Sequence, residues 1–257
     1  MADDAPLRVI VTGGAQGIGL GIFEHFVSAG HDVCALDPAY PSDALGAEHA
    51  SVGRRLRADV SNSAEVNECV DRVAEAMGGI DVVINNAGVG GPRKPLEAIT
   101  DSEWRTVHAI NLDGPFFLIR AALPYLRRGK SSSIINIVTT SIKAGLPLRA
   151  PYVTSKAALL QLTQTLAREL GPEGIRCNAI LPGAIENERG DSMLQVRADR
   201  MGVSFDAAKR YRLGFISMRT RVRPIDVAEM ALFLASRHAE RVTGQAISVD
   251  GNVEWED

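Results

Sequence analysis

The chain has 257 residues, of which 46% are hydrophobic and 23% charged, and its formal net charge is −3. This balance is typical of a globular protein and excludes a disordered or collagen-like chain. Because the chain has no overall positive charge, nucleic acid is not an expected partner. No apolar run reaches about 18 residues, so no membrane span is expected.

Short apolar runs rich in β-branched residues alternate with stretches of helical spacing along the whole chain. Strands are predicted at residues 7–12, 32–36, 54–58, 81–85, 133–138, 175–181 and 246–249. Helices are predicted at residues 18–29, 63–77, 101–128, 151–170 and 225–235. This alternation predicts an α/β fold with a parallel sheet of about seven strands and helices on both faces. Residues 1–257 are expected to form a single domain, and residues 183–224 are predicted to be an irregular connection.

The three cysteines, Cys34, Cys69 and Cys177, are odd in number, widely spaced and set in apolar surroundings. They are expected to be reduced core residues of a cytoplasmic protein and not a disulfide framework. The acidic N-terminus has no apolar stretch before the first strand, so no signal peptide is expected. The five histidines lack the spacing of metal ligands, so no metal site is expected.

A glycine-rich turn lies between the first predicted strand and the first predicted helix, with the sequence Thr-Gly-Gly-Ala-Gln-Gly-Ile-Gly at residues 12–19. Glycines at 13, 17 and 19 let the backbone bend sharply and approach a pyrophosphate at the start of the helix. A plain tight turn is the alternative interpretation, since three glycines alone are weak evidence.

Asp37 ends the second predicted strand, 18 residues after Gly19. A carboxylate in this place accepts hydrogen bonds from an adenosine ribose and repels a 2′-phosphate. No arginine follows Asp37 before Arg54, so NAD is favoured over NADP. The alternative is an aspartate that only initiates the turn at Pro38.

Tyr152 and Lys156 stand four residues apart at the start of a predicted helix, so their side chains share one face. A tyrosine is a poor base at neutral pH, but a neighbouring ammonium stabilises its phenolate form. Such a pair arises by chance on many helices, so its meaning depends on the surrounding motifs.

Those motifs are the turn at 12–19, Asp59-Val60, Asn85-Asn-Ala-Gly88, Asn111, Tyr152-x-x-x-Lys156 and Pro182-Gly183. In this order and spacing the chain resembles the short-chain dehydrogenase/reductase family, from the first strand to Gly251. The resemblance implies a Rossmann-type doubly wound sheet, a nicotinamide cofactor and a homotetramer. Trp255, in the acidic tail, is accordingly expected to dock on a neighbouring subunit.

The resemblance also assigns roles to individual residues. It implies that Tyr152 exchanges a proton with the substrate oxygen and that Lys156 supports it while holding the nicotinamide ribose. It implies that Asn111 supports a water relay behind Lys156. The implied cofactor contacts are Gly13, Gln16, Gly17, Ile18, Gly19, Asp37, Asp59 and Val60 (adenine), Asn86, Ala87 and Gly88 (riboses), Tyr152, Lys156, Pro182, Gly183 and Ile185 (nicotinamide amide).

Two positions depart from the family pattern. Thr139 stands thirteen residues before Tyr152, where the family has its catalytic serine. A threonine hydroxyl can donate the same hydrogen bond, although its methyl group restricts rotation. Ser141 is expected on the substrate side and is the alternative donor. Asn187 stands where the family often has threonine, which leaves its contact with the cofactor amide open.

Residues 183–224 carry nine basic and five acidic residues, a net charge of +4 against −7 for the rest of the chain. The segment resembles the family's substrate lid, and its charge predicts an anionic or densely hydroxylated substrate. Arg149 is expected to point into the same pocket. The alternative is a solvated pair of amphipathic helices whose arginines pair with their own acids.

The expected function is therefore hydride transfer between NAD and a secondary alcohol, ketone or hemiacetal carbon of a sugar or sugar acid. A 3-oxoacyl-thioester reductase is the alternative within the enzyme class, and Asp37 argues against it. A dinucleotide-binding sensor without turnover is the alternative of another class, and the combination of Asn111, Tyr152 and Lys156 argues against it.

Overall fold

The computed structural model describes residues 5–253, apart from residues 42, 47, 48, 50 and 130, and of residue 189 it describes only the backbone. The described residues form a seven-stranded parallel sheet in the order β3-β2-β1-β4-β5-β6-β7. The strands are β1 (Arg8–Thr12), β2 (Asp32–Leu36), β3 (Arg54–Leu56), β4 (Val82–Asn85), β5 (Ser133–Ile137), β6 (Arg176–Pro182) and β7 (Ala246–Val249). The predicted doubly wound α/β fold is confirmed.

Helices cover both faces of this sheet. They are α1 (Gly17–Ser28), α2 (Ser63–Met77), α3 (Asp101–His108), α4 (Gly114–Leu126), α5 (Ala150–Leu170), α6 (Glu188–Met201), α7 (Phe205–Gly214) and α8 (Pro224–Ala235). The strand order reverses between β1 and β4, because the chain first runs outward to β3 and then returns to the other side of β1. Such a reversal opens a crevice at the carboxyl ends of the strands, where doubly wound folds bind their ligands.

The apolar strands bury side chains on both faces, as a parallel sheet between two helix layers requires. In β1, Ile10 joins the cluster beneath α2 and α4, whereas Val9 and Val11 join the cluster beneath α1 and α8. All three are fully buried. The alternation therefore fixes the sheet between the two helix layers and presents its carboxyl edge to the site.

Helix ends follow their local capping signals. Asn62 accepts hydrogen bonds from the main-chain N–H groups of Ala64 and Glu65, so α2 begins at Ser63 as predicted. Thr100 and Glu103 form a capping box at the start of α3. These ends were predictable because each depends on residues only two or three positions apart.

The continuous helix predicted over 101–128 is wrong. The structure divides it into α3, a π-helical turn at Ala109–Asp113 and α4, which ends at Leu126. A π turn inserts a residue into the helical ladder without stopping the chain, so the apolar spacing on either side still resembles one helix.

The irregular connection predicted over 183–224 is also wrong, because the segment contains α6 and α7. Asn187 and Ser204 cap the two helices with their side-chain oxygens. The helices bury few side chains, among them Leu194, Ala198 and Ala208. Without a broad apolar stripe against the sheet, their helical spacing is weak in the sequence.

Cys34, Cys69 and Cys177 are buried free thiols, as predicted. Burial raises the pKa of the Cys69 thiol to about 11 and that of Cys177 to about 12, so both stay protonated. No group of potential metal ligands occurs within the described part of the chain. In that same part, no helix has the length and apolarity needed to cross a membrane. Trp255 lies outside the described residues, so its expected docking stays a prediction.

Candidate active site

The turn between β1 and α1 forms a backbone cradle. Gly13 has a φ of +69°, and a Cβ atom there would lie 2.9 Å from the Ala87 Cα. A Cβ atom on Gly19 would collide with the Gly13 carbonyl oxygen. Both positions therefore require glycine. On the other side of the turn, a Cβ atom on Gly17 would meet no described atom within 4 Å, so this side is open to a ligand.

The N-terminus of α1 lies directly behind this turn. The helix begins at Gly17 after Gln16, and no described side chain caps it. The main-chain N–H groups of a first helical turn have no partners within the helix and attract an anion. Gln16, Gly17 and Ile18, which the sequence assigns to the cofactor, are thus placed at a natural pyrophosphate site.

Asp37 lies at the carboxyl end of β2, beside this turn, and is 8% exposed. Its Oδ2 accepts a hydrogen bond from the Ala15 N–H at 3.0 Å, and its Oδ1 accepts one from the Ala39 N–H at 2.9 Å. Asp37 therefore initiates its own turn and is also tied to the glycine loop. The turn-initiating interpretation is confirmed, and the role of Asp37 toward a ribose stays a prediction.

Two side chains, Thr12 and Asn86, join the ends of β1 and β4. From the sequence, no role was assigned to the Thr12 side chain, and Asn86 was assigned to the cofactor riboses. The Thr12 Oγ1 accepts hydrogen bonds from the N–H groups of Asn86 (3.1 Å) and Ala87 (3.0 Å). The Asn86 Nδ2 donates to the Thr12 carbonyl at 2.9 Å and to the Gly13 carbonyl at 3.1 Å. Asn86 thus braces the glycine turn, and Thr12, missed from the sequence, holds the strand end that the sequence assigned to the riboses.

Tyr152 and Lys156 lie on one face of α5, one turn apart. Lys156 is 4% exposed, and its Nζ donates a hydrogen bond to the Ile137 carbonyl at the end of β5, at 2.7 Å. Burial lowers the pKa of Lys156 to about 8. Tyr152 is half-buried at the mouth of the crevice. The pair stands where the sequence predicted it.

Asn111 reaches the same place from the π turn. Its Oδ1 accepts a hydrogen bond from the Val89 N–H at 2.8 Å, and its Nδ2 donates to the Val89 carbonyl at 3.0 Å and to the Ser155 Oγ at 3.1 Å. A Cβ atom on Gly88 would lie 3.2 Å from the Asn111 Oδ1 and 3.4 Å from the Lys156 Nζ. The structure therefore brings together Gly88, Asn111 and Lys156, which are remote in sequence.

Two hydroxyl groups adjoin this cluster at the end of β5. Thr139 is 7% exposed, and its Oγ1 donates a hydrogen bond to the Ser141 Oγ at 3.2 Å. The same Oγ1 accepts from the Ser141 N–H at 3.2 Å. Because the two hydroxyls lie within hydrogen-bonding distance, either of them can donate a hydrogen bond to an acceptor placed next to both. The choice between Thr139 and Ser141 stays a prediction.

A protein-family model described as Enoyl-(Acyl carrier protein) reductase matches residues 13–253. The L-2,3-butanediol dehydrogenase of Corynebacterium glutamicum is 35% identical, over 95% of this chain and 97% of its own length. The chain belongs to the short-chain dehydrogenase/reductase family. Relatives named as dehydrogenases and reductases show that it is an oxidoreductase, which removes the dinucleotide-binding sensor as an alternative.

Two further members of the short-chain dehydrogenase/reductase family bear on its substrate. The aldohexose dehydrogenase of Thermoplasma acidophilum has a solved structure that matches with a TM-score of 0.84 and 31% identity, covering 96% of this chain and 93% of that one. The 3-oxoacyl-[acyl-carrier-protein] reductase of Chlamydia pneumoniae is 31% identical over 96% of this chain and 97% of its own length. The family uses nicotinamide cofactors, and its members act on substrates as different as these.

At the adenine end of the family site, Asp59 is exposed after β3 and Val60 is buried. Asp59 lines an open groove of about 420 Å³. The groove is lined by Pro38, Asp43, Arg57, Asp59 and Glu65. The Asp59 Oδ1 accepts hydrogen bonds from the main-chain N–H and the hydroxyl of Ser61. The adenine assignment of Asp59 and Val60 is compatible with this groove and stays a prediction.

Pro182 and Gly183 end β6 at the same crevice. The Pro182 carbonyl accepts a hydrogen bond from the Thr140 Oγ1 at 3.3 Å, and Gly183 packs against Asp250. Ile185 forms an isolated bridge with Val222. These contacts hold the beginning of residues 183–224, the segment predicted to be the lid, against the end of the sheet. Ile185 lies in this first part of the segment.

Asn187, whose contact with the cofactor amide was left open, has another role in the structure. Its Oδ1 accepts a hydrogen bond from the Gly190 N–H at 2.7 Å and so caps α6. Its side-chain oxygen is therefore committed to the start of the lid helix, as asparagine commonly is at this position.

Several lid arginines contact groups of the protein itself. Arg221 pairs with Asp191 at 2.6 Å and with Glu186 at 3.4 Å, and its side chain is only 9% exposed. Arg223 pairs with Asp226, and the Arg197 guanidinium lies over the Tyr211 ring at 5.1 Å. Arg221 thus pairs with acids of the segment itself, as the alternative interpretation expects, whereas Arg223 pairs with Asp226 of α8.

Arg149 lies beside Tyr152, stacked on the face of its ring. It is 7% exposed, and its Cζ atom is 4.8 Å from the centroid of the Tyr152 ring. The guanidinium therefore covers the face of the phenol ring. Stacking of this kind has no signal in sequence spacing, because it depends on the turn that precedes α5.

A buried polar chain supports the site from below and was missed in the sequence. The Asn85 Nδ2 donates a hydrogen bond to the Asn136 Oδ1 at 2.8 Å, and the Asn136 Nδ2 donates to the Thr163 Oγ1 at 2.8 Å. The chain ties β4, β5 and α5 together beneath Lys156. The available signal was an asparagine inside each of two otherwise apolar strands.

Proposed function

We propose that the protein is an NAD-dependent dehydrogenase that transfers hydride between the nicotinamide and a secondary alcohol, ketone or hemiacetal carbon, with a sugar or sugar acid as substrate. The observation that carries this proposal is the convergence of Tyr152, Lys156 and Asn111 with the Thr139 hydroxyl at the carboxyl edge of the sheet. The glycine cradle and Asp37 lie at the same edge, where strand order reverses.

The described residues fit a dinucleotide. The cradle at Gly13 and Gly19 admits no Cβ atom, the open side of Gly17 faces outward, and the uncapped start of α1 suits a pyrophosphate. When bound, the nicotinamide supplies the hydride acceptor or donor. Gly88 and Lys156 are the groups that would hold its ribose. They lie together, since a Cβ atom on Gly88 would be 3.4 Å from the Lys156 Nζ.

Preference for NAD rests on Asp37. Its carboxylate is fixed by the N–H groups of Ala15 and Ala39, so it cannot move away from a ribose placed at the end of β2. A 2′-phosphate there would face this negative charge. Ala15 and Pro38, which flank Asp37, are uncharged, and the nearest cation of the adjoining groove is Arg57 of the segment after β3.

The proton chemistry belongs to Tyr152. In alcohol oxidation its phenolate oxygen takes the hydroxyl proton of the substrate, and in the reverse direction its hydroxyl returns that proton. Thr139, with Ser141 beside it, is positioned to donate a hydrogen bond to the same substrate oxygen. Lys156 lies one turn along α5 from the tyrosine with its ammonium on the Ile137 carbonyl, and Asn111 fixes the main chain at Val89.

Support for a sugar or sugar acid comes from two sources. One relative of known structure is named an aldohexose dehydrogenase. The lid segment has a net charge of +4, although Arg221, Arg223 and Arg197 are partly used within the protein. A hydroxylated substrate suits the polar hydroxyl pair at the end of β5.

The test is a steady-state assay of cofactor reduction with NAD and NADP over sugars, sugar acids, vicinal diols and a 3-hydroxyacyl thioester. We expect the highest kcat/KM with NAD and a sugar or sugar acid. A thioester as the best substrate would establish instead the 3-oxoacyl reductase, the activity named for one relative. Preference for NADP would contradict the role of Asp37.

We also propose a homotetramer in the cytoplasm. Exposed apolar side chains support assembly, since Phe233 is 43% exposed and Met218 is 70% exposed along one groove of about 560 Å³. The buried free thiols of Cys34, Cys69 and Cys177 suit a reducing compartment. Light scattering of the purified chain tests the assembly, and a monomer would contradict it.

A further inference from the structure

Arg149 stands immediately before α5, three residues before Tyr152. It is 7% exposed, and its Cζ atom lies 4.8 Å from the centre of the Tyr152 ring. A cation within about 6 Å of the face of an aromatic ring is attracted to the ring's negative face. Because the guanidinium is buried, water screens this attraction weakly.

The backbone before Arg149 is held in a conformation that bulky residues avoid. Leu148 has a φ of +65° although its side chain is 49% exposed, so its own packing does not account for the strain. Main-chain bonds hold the turn on both sides: the Lys94 N–H donates to the Leu148 carbonyl, and the Val153 N–H donates to the Arg149 carbonyl. Strain fixed in this way often marks a functional position.

We propose that Arg149 is a positioning residue for Tyr152, which holds the phenol ring in place and adds a permanent positive charge beside the oxygen that exchanges the proton. The inference rests on the proposed role of Tyr152 as acid and base. Deprotonation makes the ring more negative, so the attraction to the guanidinium strengthens in the form that accepts the proton from an alcohol.

Arg149 and Lys156 then carry their positive charges over different pH ranges. Burial lowers the pKa of Lys156 to about 8, so in this structure its charge is lost above that pH. A guanidinium keeps its charge throughout this range. Among the residues that the structure describes, the charged or titratable groups near this turn include His108 of α3, close to Thr154, and the ion pair of Lys94 with Glu103.

The test compares Arg149→Met and Arg149→Lys with the unmutated full chain, with kcat/KM for alcohol oxidation measured between about pH 6 and 10. We expect Arg149→Met to lower kcat about three- to tenfold and to move the acid limb of the profile upward by about 0.5–1 pH unit. The Kd for NAD is expected to stay unchanged. Arg149→Lys keeps the charge and is expected to restore most of the rate and the position of the limb.

The matched control is Arg128→Met. The Arg128 Cζ lies 5.1 Å from the Tyr125 ring on α4, so the variant removes the same kind of contact outside the site. We expect its pH profile to match that of the unmutated chain. If Arg149→Met does not fold, as judged by its thermal transition, Arg149→Gln takes its place with the same expected shift.

An acid limb that stays in place in the neutral variant overturns the inference. A limb that shifts equally in Arg149→Lys and Arg149→Met also overturns it, because the charge then has no part. Tyr152→Phe, measured in parallel, separates this failure from that of the proposed function. If Tyr152→Phe is inactive while Arg149→Met matches the unmutated chain, only the role of Arg149 fails; if Tyr152→Phe is active, the proposed function fails.

Discussion

The cofactor side and the lid of this protein are built by different means. On the cofactor side, Gly13, Gly19 and the ends of β1 and β4 fix the shape through main-chain contacts and two side chains, Thr12 and Asn86. In the lid, the shape depends on charged side chains such as Arg221 and on helix caps such as Asn187. A site defined by backbone tolerates no added atom, whereas a segment held by ion pairs to half-exposed acids such as Asp191 loses less with each pair.

The largest effect is expected at the point where the two regions meet. Tyr152→Phe removes the proton path and leaves the cradle intact, so we expect kcat to fall by about 10³-fold with the Kd for NAD unchanged. Thr139→Ala removes one polarising hydrogen bond and is expected to cost less than loss of the tyrosine. Single-turnover and equilibrium binding measurements check both. A silent Thr139→Ala beside a severe Ser141→Ala would reverse the assignment of the two hydroxyls.

The cradle is expected to fail on the addition of one methyl group. In Gly19→Ala the new Cβ collides with the Gly13 carbonyl oxygen and the Asn86 side chain, so the turn must open. We expect the Kd for NAD to rise about 100-fold, measured by calorimetry. Gly171→Ala is the control, because its Cβ would meet no described atom within 4 Å and its φ of −55° is ordinary. Unchanged NAD binding in Gly19→Ala would show that the cradle is not rigid.

The pH dependence of the unfolding free energy tests whether the burial of Lys156 destabilises the folded protein. Its folded-state pKa, lowered by burial to about 8, lies below the ordinary lysine value of 10.5, so the unfolded chain binds the extra proton between these pH values. The burial penalty is therefore full below about pH 8 and disappears as the pH rises to about 10.5. Relative to Lys156→Met, the unmutated apoprotein should gain about 3 kcal/mol of unfolding free energy over that range. Parallel pH dependences in denaturant titrations of the two proteins would contradict this.

Asp37 tests electrostatics on the cofactor side. Asp37→Ala removes the charge that faces a 2′-phosphate, so we expect the NAD-to-NADP ratio of kcat/KM to fall at least about tenfold. The loop also loses the bond to the Ala15 N–H, so activity with NAD should decline modestly. Asp71 of α2, whose carboxylate accepts a hydrogen bond from the Tyr125 hydroxyl away from the groove beside Asp37, provides a control carboxylate through Asp71→Ala. An unchanged ratio in Asp37→Ala would place the ribose elsewhere.

The smallest effect is expected in the lid. Arg221→Met leaves Asp191 and Glu186 without their partner, so the lid is expected to close less readily. KM should rise about threefold, equally for a sugar acid and its neutral analogue. Arg105→Met, in an exposed pair with Asp101, is the control. A rise confined to the sugar acid would mean instead that Arg221 binds the substrate anion.

Local sequence determined much of the fold. The alternation of strands and helices, the first residues of α2 and α3, and the glycine turn all depend on residues a few positions apart, and each lies where it was predicted. Tyr152 and Lys156 were predictable for the same reason, because one turn of α5 relates them. The position of Asp37 was predictable as well, because it directly follows a strand whose apolar residues are evident in the sequence.

The tertiary structure decided what depends on contacts between distant segments. The π turn carries Asn111 to Val89 and Ser155, the Ile137 carbonyl receives the Lys156 ammonium, and Arg149 covers Tyr152 after a strained turn. The helices of the lid were missed for another reason, since they bury few side chains and leave only a weak apolar pattern in the sequence. Spacing along a chain shows only which residues share a face of a helix or strand. These contacts depend instead on how separate elements pack against each other, and that packing exists only in the complete fold.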